Sequence, residues 1–147
     1  MGRAAAFDMC RQPDVESVVI ADVDGRRAKE AAEFARCECV APLELDVKKK
    51  PDVLKAMREA DAVLGAVSYT VNLELSEMAI EAGVHFNDMG GNNTVVARQL
   101  KLDEKAKAAG VSIIPDTGLA PGMASLLAMH GVRKMDEADS VRIRVGG

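Results

Sequence analysis

A carboxylate that closes an apolar run is the first feature of this chain with an evident chemical use. Val18-Val19-Ile20-Ala21-Asp22 reads as a strand buried on both faces and ending in an acid. Twenty positions separate Gly2 from Asp22. That interval lies between the last glycine of a dinucleotide-binding turn and the acid that accepts hydrogen bonds from a ribose. On this reading Gly2, with Arg3 beside it, opens a helix whose N-terminus faces a pyrophosphate. Val23 and Asp24 follow at the strand mouth. An acid there repels a 2′-phosphate, so NAD is the expected cofactor. NADP stays open, because Arg26 and Arg27 lie one helical turn further on. The alternative is that Asp22 merely caps the helix that follows it.

Ligands of open parallel sheets sit beyond the carboxyl ends of the strands, so the residues after each expected strand form one list. Asp46-Val47 is placed beside an adenine ring, or else is a solvated strand end. Ser68, Tyr69 and Thr70 follow the third strand. Asn87, Asp88, Met89, Gly90, Gly91 and Asn92 follow the fourth. Pro115-Asp116 and Gly118-Leu119-Ala120-Pro121-Gly122 follow the fifth. Tyr69, Asn87, Asp88 and Asp116 are the polar residues that would face the reacting end of a cofactor. An acid there can shuttle a proton or orient an amine, which makes Asp88 and Asp116 the catalytic candidates. Each of these also reads as an ordinary surface-turn residue. His85 reads as a core or edge residue and His130 as a helix C-terminal one.

The elements that position these residues alternate. Helices are expected over 2–10, 25–35, 52–59, 71–82, 94–109 and 122–131. Strands are expected over 17–21, 42–47, 61–67, 84–86, 111–114 and, from the alternation VRIRV, 140–145. Gly83 and Gly110 stop two of the helices, and Pro13 follows the first. Alternating strand and helix implies a doubly wound α/β fold with a parallel sheet, because parallel neighbours need long crossovers. Lys48-Lys49-Lys50 precedes Pro51 and reads as a solvated turn.

Composition sets the outer limits. The chain has 147 residues, 48% of them hydrophobic and 29% charged, the balance of a globular domain. A net charge of -4 argues against a phosphate backbone as partner. Trp is absent, so there is no stacking platform for single-stranded nucleic acid. No apolar run has the length of a membrane helix. Ala4-Ala5-Ala6-Phe7 is interrupted by Asp8, unlike a secretory signal. Cys10, Cys37 and Cys39 are an odd set with no His at ligand spacing. They are expected to be reduced thiols of a cytoplasmic protein, with no metal site.

Several of these segments together resemble the NAD(P)-binding domain of the saccharopine dehydrogenase-like family, and within it the lysine 6-dehydrogenase branch. The resemblance rests on GRAAA at 2–6, VVIADVD at 18–24, LDV at 45–47, AVSY at 66–69, FNDMGG at 86–91 and PDTGLAPGM at 115–123. It implies an oxidoreductase that takes hydride from the C–N bond of an amino acid such as lysine or saccharopine. It further implies that Asp22-Val23, Asp46-Val47, Val67-Ser68-Tyr69, Asn87-Asp88 and Leu119-Ala120 line the dinucleotide. Substrate would meet it at Tyr69, Asn87 and Asp88. Gly2, Arg3 and Asp24 complete the expected cofactor contacts. Other Rossmann reductases, of the dihydrodipicolinate reductase or homoserine dehydrogenase kind, remain an alternative. So does a non-catalytic module that binds or dimerises.

Family members carry a strand and two more glycines before the position of Gly2. The expectation is therefore a partial Rossmann domain over 1–137 whose first strand is missing. Residues 138–147 would begin a second, substrate-binding domain, and the full-length protein would be a homo-oligomer. Without the glycine-rich turn, this chain alone should bind NAD weakly and turn over no substrate. A calorimetric titration checks this, and micromolar binding by the 147-residue chain contradicts it.

Overall fold

The computed structural model describes residues 1–146, and the chain divides into two compact units, residues 1–56 and 57–147. The first unit contains α1 (Gly2–Met9), β1 (Val18–Asp22), α2 (Gly25–Ala35) and β2 (Val40–Glu44). The boundary falls in the last turn of α3 (Lys50–Met57). β1 and β2 pair in parallel, with Val18 opposite Val40 and Asp22 opposite Glu44. The β-branched residues of β1 favour the pleat, and Pro42 fixes β2 as an edge, since a proline has no N–H to give a further neighbour. Ala6, Val18, Ala35 and Val40 form the buried cluster, flanked by Met9, Val15, Ile20 and Ala32. The small alanines let α1 and α2 pack closely.

The second unit is a three-stranded parallel sheet in the order β3-β4-β5. Its strands are β3 (Ala62–Gly65), β4 (His85–Asp88) and β5 (Ile113–Ile114). α4 (Asn72–Ala82) links β3 to β4. α5 (Asn93–Gln99) and α6 (Asp103–Ala109) link β4 to β5. α7 (Ala124–Val132) follows an irregular loop. Leu75, Met78, Ala79, Val84, Phe86, Leu102 and Ala106 are buried in this unit. Asn92 caps α5 by accepting from the Thr94 and Val95 N–H groups. Every ladder is parallel, and each connection within a sheet is helical, so the architecture is the α/β, Rossmann-like one expected.

Four expectations need correction. The second strand is Val40–Glu44 and not 42–47, so Asp46 and Val47 lie in the turn beyond it. There Asp46 Oδ1 accepts from the Lys48 N–H at 3.0 Å, which bends the chain out of the strand. The helix expected over 94–109 is divided by a tight turn at Leu100–Leu102, although Gln99, Leu102 and Ala106 still share one buried face. Residues 140–145 form no strand. Val141, Ile143 and Val145 are all about half exposed, and an alternating sequence without a partner cannot close a ladder. The second domain expected over 138–147 thus has no strand among the described residues, and Gly147 lies outside them. Finally, the cysteines are not all reduced, because Cys37 and Cys39 are disulfide-bonded.

Phe86 is the largest fully buried side chain. Phe86→Ala should cost about 3–5 kcal/mol, read as a lower urea midpoint with an unchanged slope.

Candidate functional site

Each unit presents its own strand ends. In the first, Asp22 closes β1 with its Oδ1 accepting from the Asp24 N–H at 3.0 Å. Its Oδ2 makes no hydrogen bond to the described residues. The helix cap is Asp24, which accepts from the Arg26 N–H at 2.9 Å and more weakly from that of Arg27. The capping alternative for Asp22 therefore falls to Asp24, and Asp22 keeps one oxygen for other use. Arg26 and Arg27 lie 3.8–4.0 Å from the Asp24 carboxylate. Such exposed pairs contribute little and leave both cations free to turn.

An open hollow of about 650 Å³ sits at this edge, lined by Val23, Asp24, Gly25, Arg26, Lys29, Pro42 and Glu44. Asp22 borders it through its neighbours and does not line it. Glu44 does, and sequence reasoning missed it because the strand was expected to run on to Asp46. Glu44 is the register partner of Asp22, a pairing that appears only once the two strands are laid side by side. A Cβ at Gly25 would lie 2.6 Å from Glu44 Oε2 and would push that flexible side chain aside. Asp46 and Val47 are half-buried in their turn. Gly2 begins α1, where Met1 supplies no side-chain cap. Arg3 turns away along the helix, its guanidinium 4.9 Å from the Phe34 ring centre.

In the second unit the fourth strand ends in a fully buried carboxylate, Asp88. Its Oδ1 accepts from the Gly90 N–H at 2.7 Å and the Asp116 N–H at 3.2 Å. Its Oδ2 accepts from Gln99 Nε2 at 2.6 Å. Gln99 Nε2 also reaches Ser76 Oγ at 2.8 Å, and Ser76 Oγ donates to the Asn72 carbonyl. Thr117 donates from its N–H to the Asp88 carbonyl at 2.8 Å and from its hydroxyl to Asn87 Oδ1, also at 2.8 Å. Asp88, Asn87, Asp116 and Thr117 are thus brought together, as the list of strand ends required.

The roles differ from those expected. Asp88 has no exposed surface and no idle oxygen, so it does not face a substrate, and its geometry is that of a scaffold. Asp116 has φ +63 and accepts from the Gly91 N–H at 3.3 Å. It is only half-buried and is the acid of this edge with open surface. Gly90, at φ +70, could not be another residue, because a Cβ there would overlap Asp116 Oδ1. Tyr69 lies against Gly91 and is 40% exposed. Ser68 caps the turn that carries Tyr69, and Val67 is exposed before it. Leu119 and Ala120 stand exposed on the irregular loop. His85 Nδ1 accepts from the Ser112 N–H at 3.0 Å, a strand-edge role. Gln99, Ser76 and Thr117 were not singled out from sequence. Asn72 and Ser76 are four apart on one helix, a polar pair on an otherwise apolar face, and that pattern was the available signal.

A family model described as "Saccharopine dehydrogenase NADP binding domain" matches residues 1–114. The chain belongs to that family. It is therefore an NAD(P)-binding domain of an oxidoreductase family. Alpha-aminoadipic semialdehyde synthase from Arabidopsis thaliana is 30% identical over 112 residues, which are 76% of this chain and 10% of that protein. Apo saccharopine dehydrogenase (L-Glu forming) from Saccharomyces cerevisiae matches in structure with a TM-score of 0.74 at 18% identity, covering 90% of this chain and 28% of that one. A biliverdin reductase from Synechocystis, in complex with biliverdin and NADP+, matches at 0.58 with 18% identity, covering 90% of this chain and 37% of that one. These structural likenesses establish the fold. The saccharopine dehydrogenase-type domain described here spans a small part of its relatives' length. Among the described residues no helix is long and apolar enough to cross a membrane.

The Asp88 network yields a prediction that separates scaffold from catalyst. Asp88→Ala strands three donors in a closed space and should cost about 3 kcal/mol or more of stability, measured by urea unfolding. A catalytic acid would instead lose activity with stability unchanged.

Proposed function

We propose that this chain is the dinucleotide-binding part of an amino-acid dehydrogenase that passes hydride from a C–N bond to NAD. Lysine or a saccharopine-like amino acid is the substrate, with the lysine 6-dehydrogenase activity as the specific reading. The supporting observation is the extent of the family match, residues 1–114, which takes in both carboxylate-ended strands, β1 and β4. The relatives' names agree with a substrate of this class.

The residues fit a dinucleotide. Asp22 offers one unengaged carboxylate oxygen at the end of β1, and the neighbouring hollow is large enough for a sugar and part of a base. The nicotinamide supplies the hydride acceptor when it is bound. This chain's part is to hold the ribose through Asp22 and to keep the β4 rim rigid through Asp88. It also presents Tyr69, Asn87 and Asp116 to whatever lies beside them. Asp116 is the residue of this rim able to hold or pass a proton. The lining of the hollow carries two acids, Asp24 and Glu44, and two cations, Arg26 and Lys29, so the preference for NAD rests on Asp22, which repels a 2′-phosphate.

A dehydrogenase assay of the longer protein tests the reading, with lysine, saccharopine and carboxynorspermidine as substrates and each cofactor in turn. Reduction of NAD by none of the three would overturn it. For the cofactor, Asp22→Ser should weaken NAD binding about tenfold, the equivalent of one hydrogen bond to a charged group. It should leave NADP binding unchanged or improved, measured by fluorescence titration of both reduced cofactors.

A further inference from the structure

The three cysteines of the first unit meet, although the sequence places them 27 and 29 positions apart. Cys10 is the C-terminal cap of α1. Cys37 and Cys39 lie in the turn between α2 and β2. Their three sulfur atoms lie within 4.8 Å of one another. The Cys10 carbonyl oxygen is 3.9 Å from both the Cys37 and the Cys39 sulfur. Cys37 and Cys39 are bonded to each other, and Cys10 is free. A free thiol beside a disulfide is the arrangement that thiol–disulfide exchange requires.

Arg11 holds the free thiol in place. Its Nη1 donates to Cys10 Sγ at 3.2 Å, and its Nη2 donates to the Ala35 carbonyl at 3.1 Å. Its guanidinium stacks 3.5 Å from the Phe7 ring centre. One side chain therefore ties the end of α1 to the end of α2 and places the sulfur between them. All three cysteines pack against the buried cluster of Ala6, Val18, Ala35 and Val40, and each is half-buried.

We propose that Cys10, Cys37 and Cys39 form an exchange centre in which the disulfide migrates to Cys10. The Cys10 thiol gives its proton to solvent, and its sulfur bonds to the sulfur of Cys37 or Cys39. The Cys37–Cys39 bond breaks, and the released cysteine leaves as a thiolate that takes a proton from solvent. One S–S bond forms and one breaks, with no net oxidation. The original bond spans 2 positions, whereas the new one spans 27 or 29. The longer loop restricts the unfolded chain more, so folding shifts the exchange toward the migrated bond relative to the unfolded chain. It clasps α1, whose first residue is Gly2, to the α2–β2 turn. A small dithiol reduces either bond and opens the clasp. This centre does not depend on the proposed dehydrogenase activity.

The test equilibrates the purified protein in a buffer of reduced and oxidised dithiothreitol, quenches with acid, alkylates and maps the bonds by peptide mass spectrometry. A bond from Cys10 to Cys37 or Cys39 is expected, at a level roughly threefold or more above that in the same buffer with denaturant, where short loops close most readily. A level no higher than in denaturant overturns the proposal, as does a native protein holding only the Cys37–Cys39 bond. Cys37→Ser and Cys39→Ser identify the partner. The variant that retains it should form the long bond and unfold about 5 °C or more above its own reduced form.

Discussion

A carboxylate with no exposed surface must be surrounded by donors, and Asp88 draws them from three segments. Gly90 and Asp116 give backbone N–H groups, and Gln99 gives its side-chain amide. An ionised acid left without these would face a large desolvation cost. The constraint spreads from there. Gln99 points inward to serve Asp88, and Ser76 on α4 meets the same amide. Gly90 is confined to glycine by the closeness of Asp116, and Thr117 is held by the Asp88 carbonyl. The arrangement has its own cost, since the Asn72 Oδ1 and Gln99 Oε1 atoms find no partner among the described residues. The amide of Gln99 satisfies the charge and leaves its oxygen unmet, which is the cheaper of the two failures.

Most of the fold was legible because its signals are local. The β-branched run of β1, the alanine face of α2 and the glycine stops at Gly83 and Gly110 each act within a few residues. The family was legible from short segments spread along the chain. What was not legible came from contacts distant in sequence. The end of β2 was misplaced because Leu45-Asp46-Val47 copies the pattern of Ala21-Asp22-Val23, and only the pairing with β1 shows where the ladder stops. The 140–145 alternation is strand-like by itself, but strands need neighbours, and none lies beside it among the described residues. The cysteines looked unrelated because Cys10 lies a helix and a strand away from Cys37, and packing of α1 on α2 brings them together.

The clearest limit of local reading is the contrast between Asp22 and Asp88. Both end a parallel strand, and both use Oδ1 to accept from the N–H two residues on, at 3.0 Å from Asp24 and 2.7 Å from Gly90. To a reader of sequence they are the same device. The second oxygen separates them. Asp88 Oδ2 meets Gln99, eleven positions later on a helix that folds back over the strand end. Asp22 Oδ2 meets no such helix, and the residues around it line an open hollow. A strand-end acid therefore becomes a scaffold where a polar side chain from the next crossover covers it, and stays free for a ligand where none does. The same criterion separates Asp116 from Asp88 on one rim. Asp116 accepts a single backbone N–H and keeps part of its surface in the open. The free acid of that rim is thus the one whose carboxylate the crossover helix leaves uncovered.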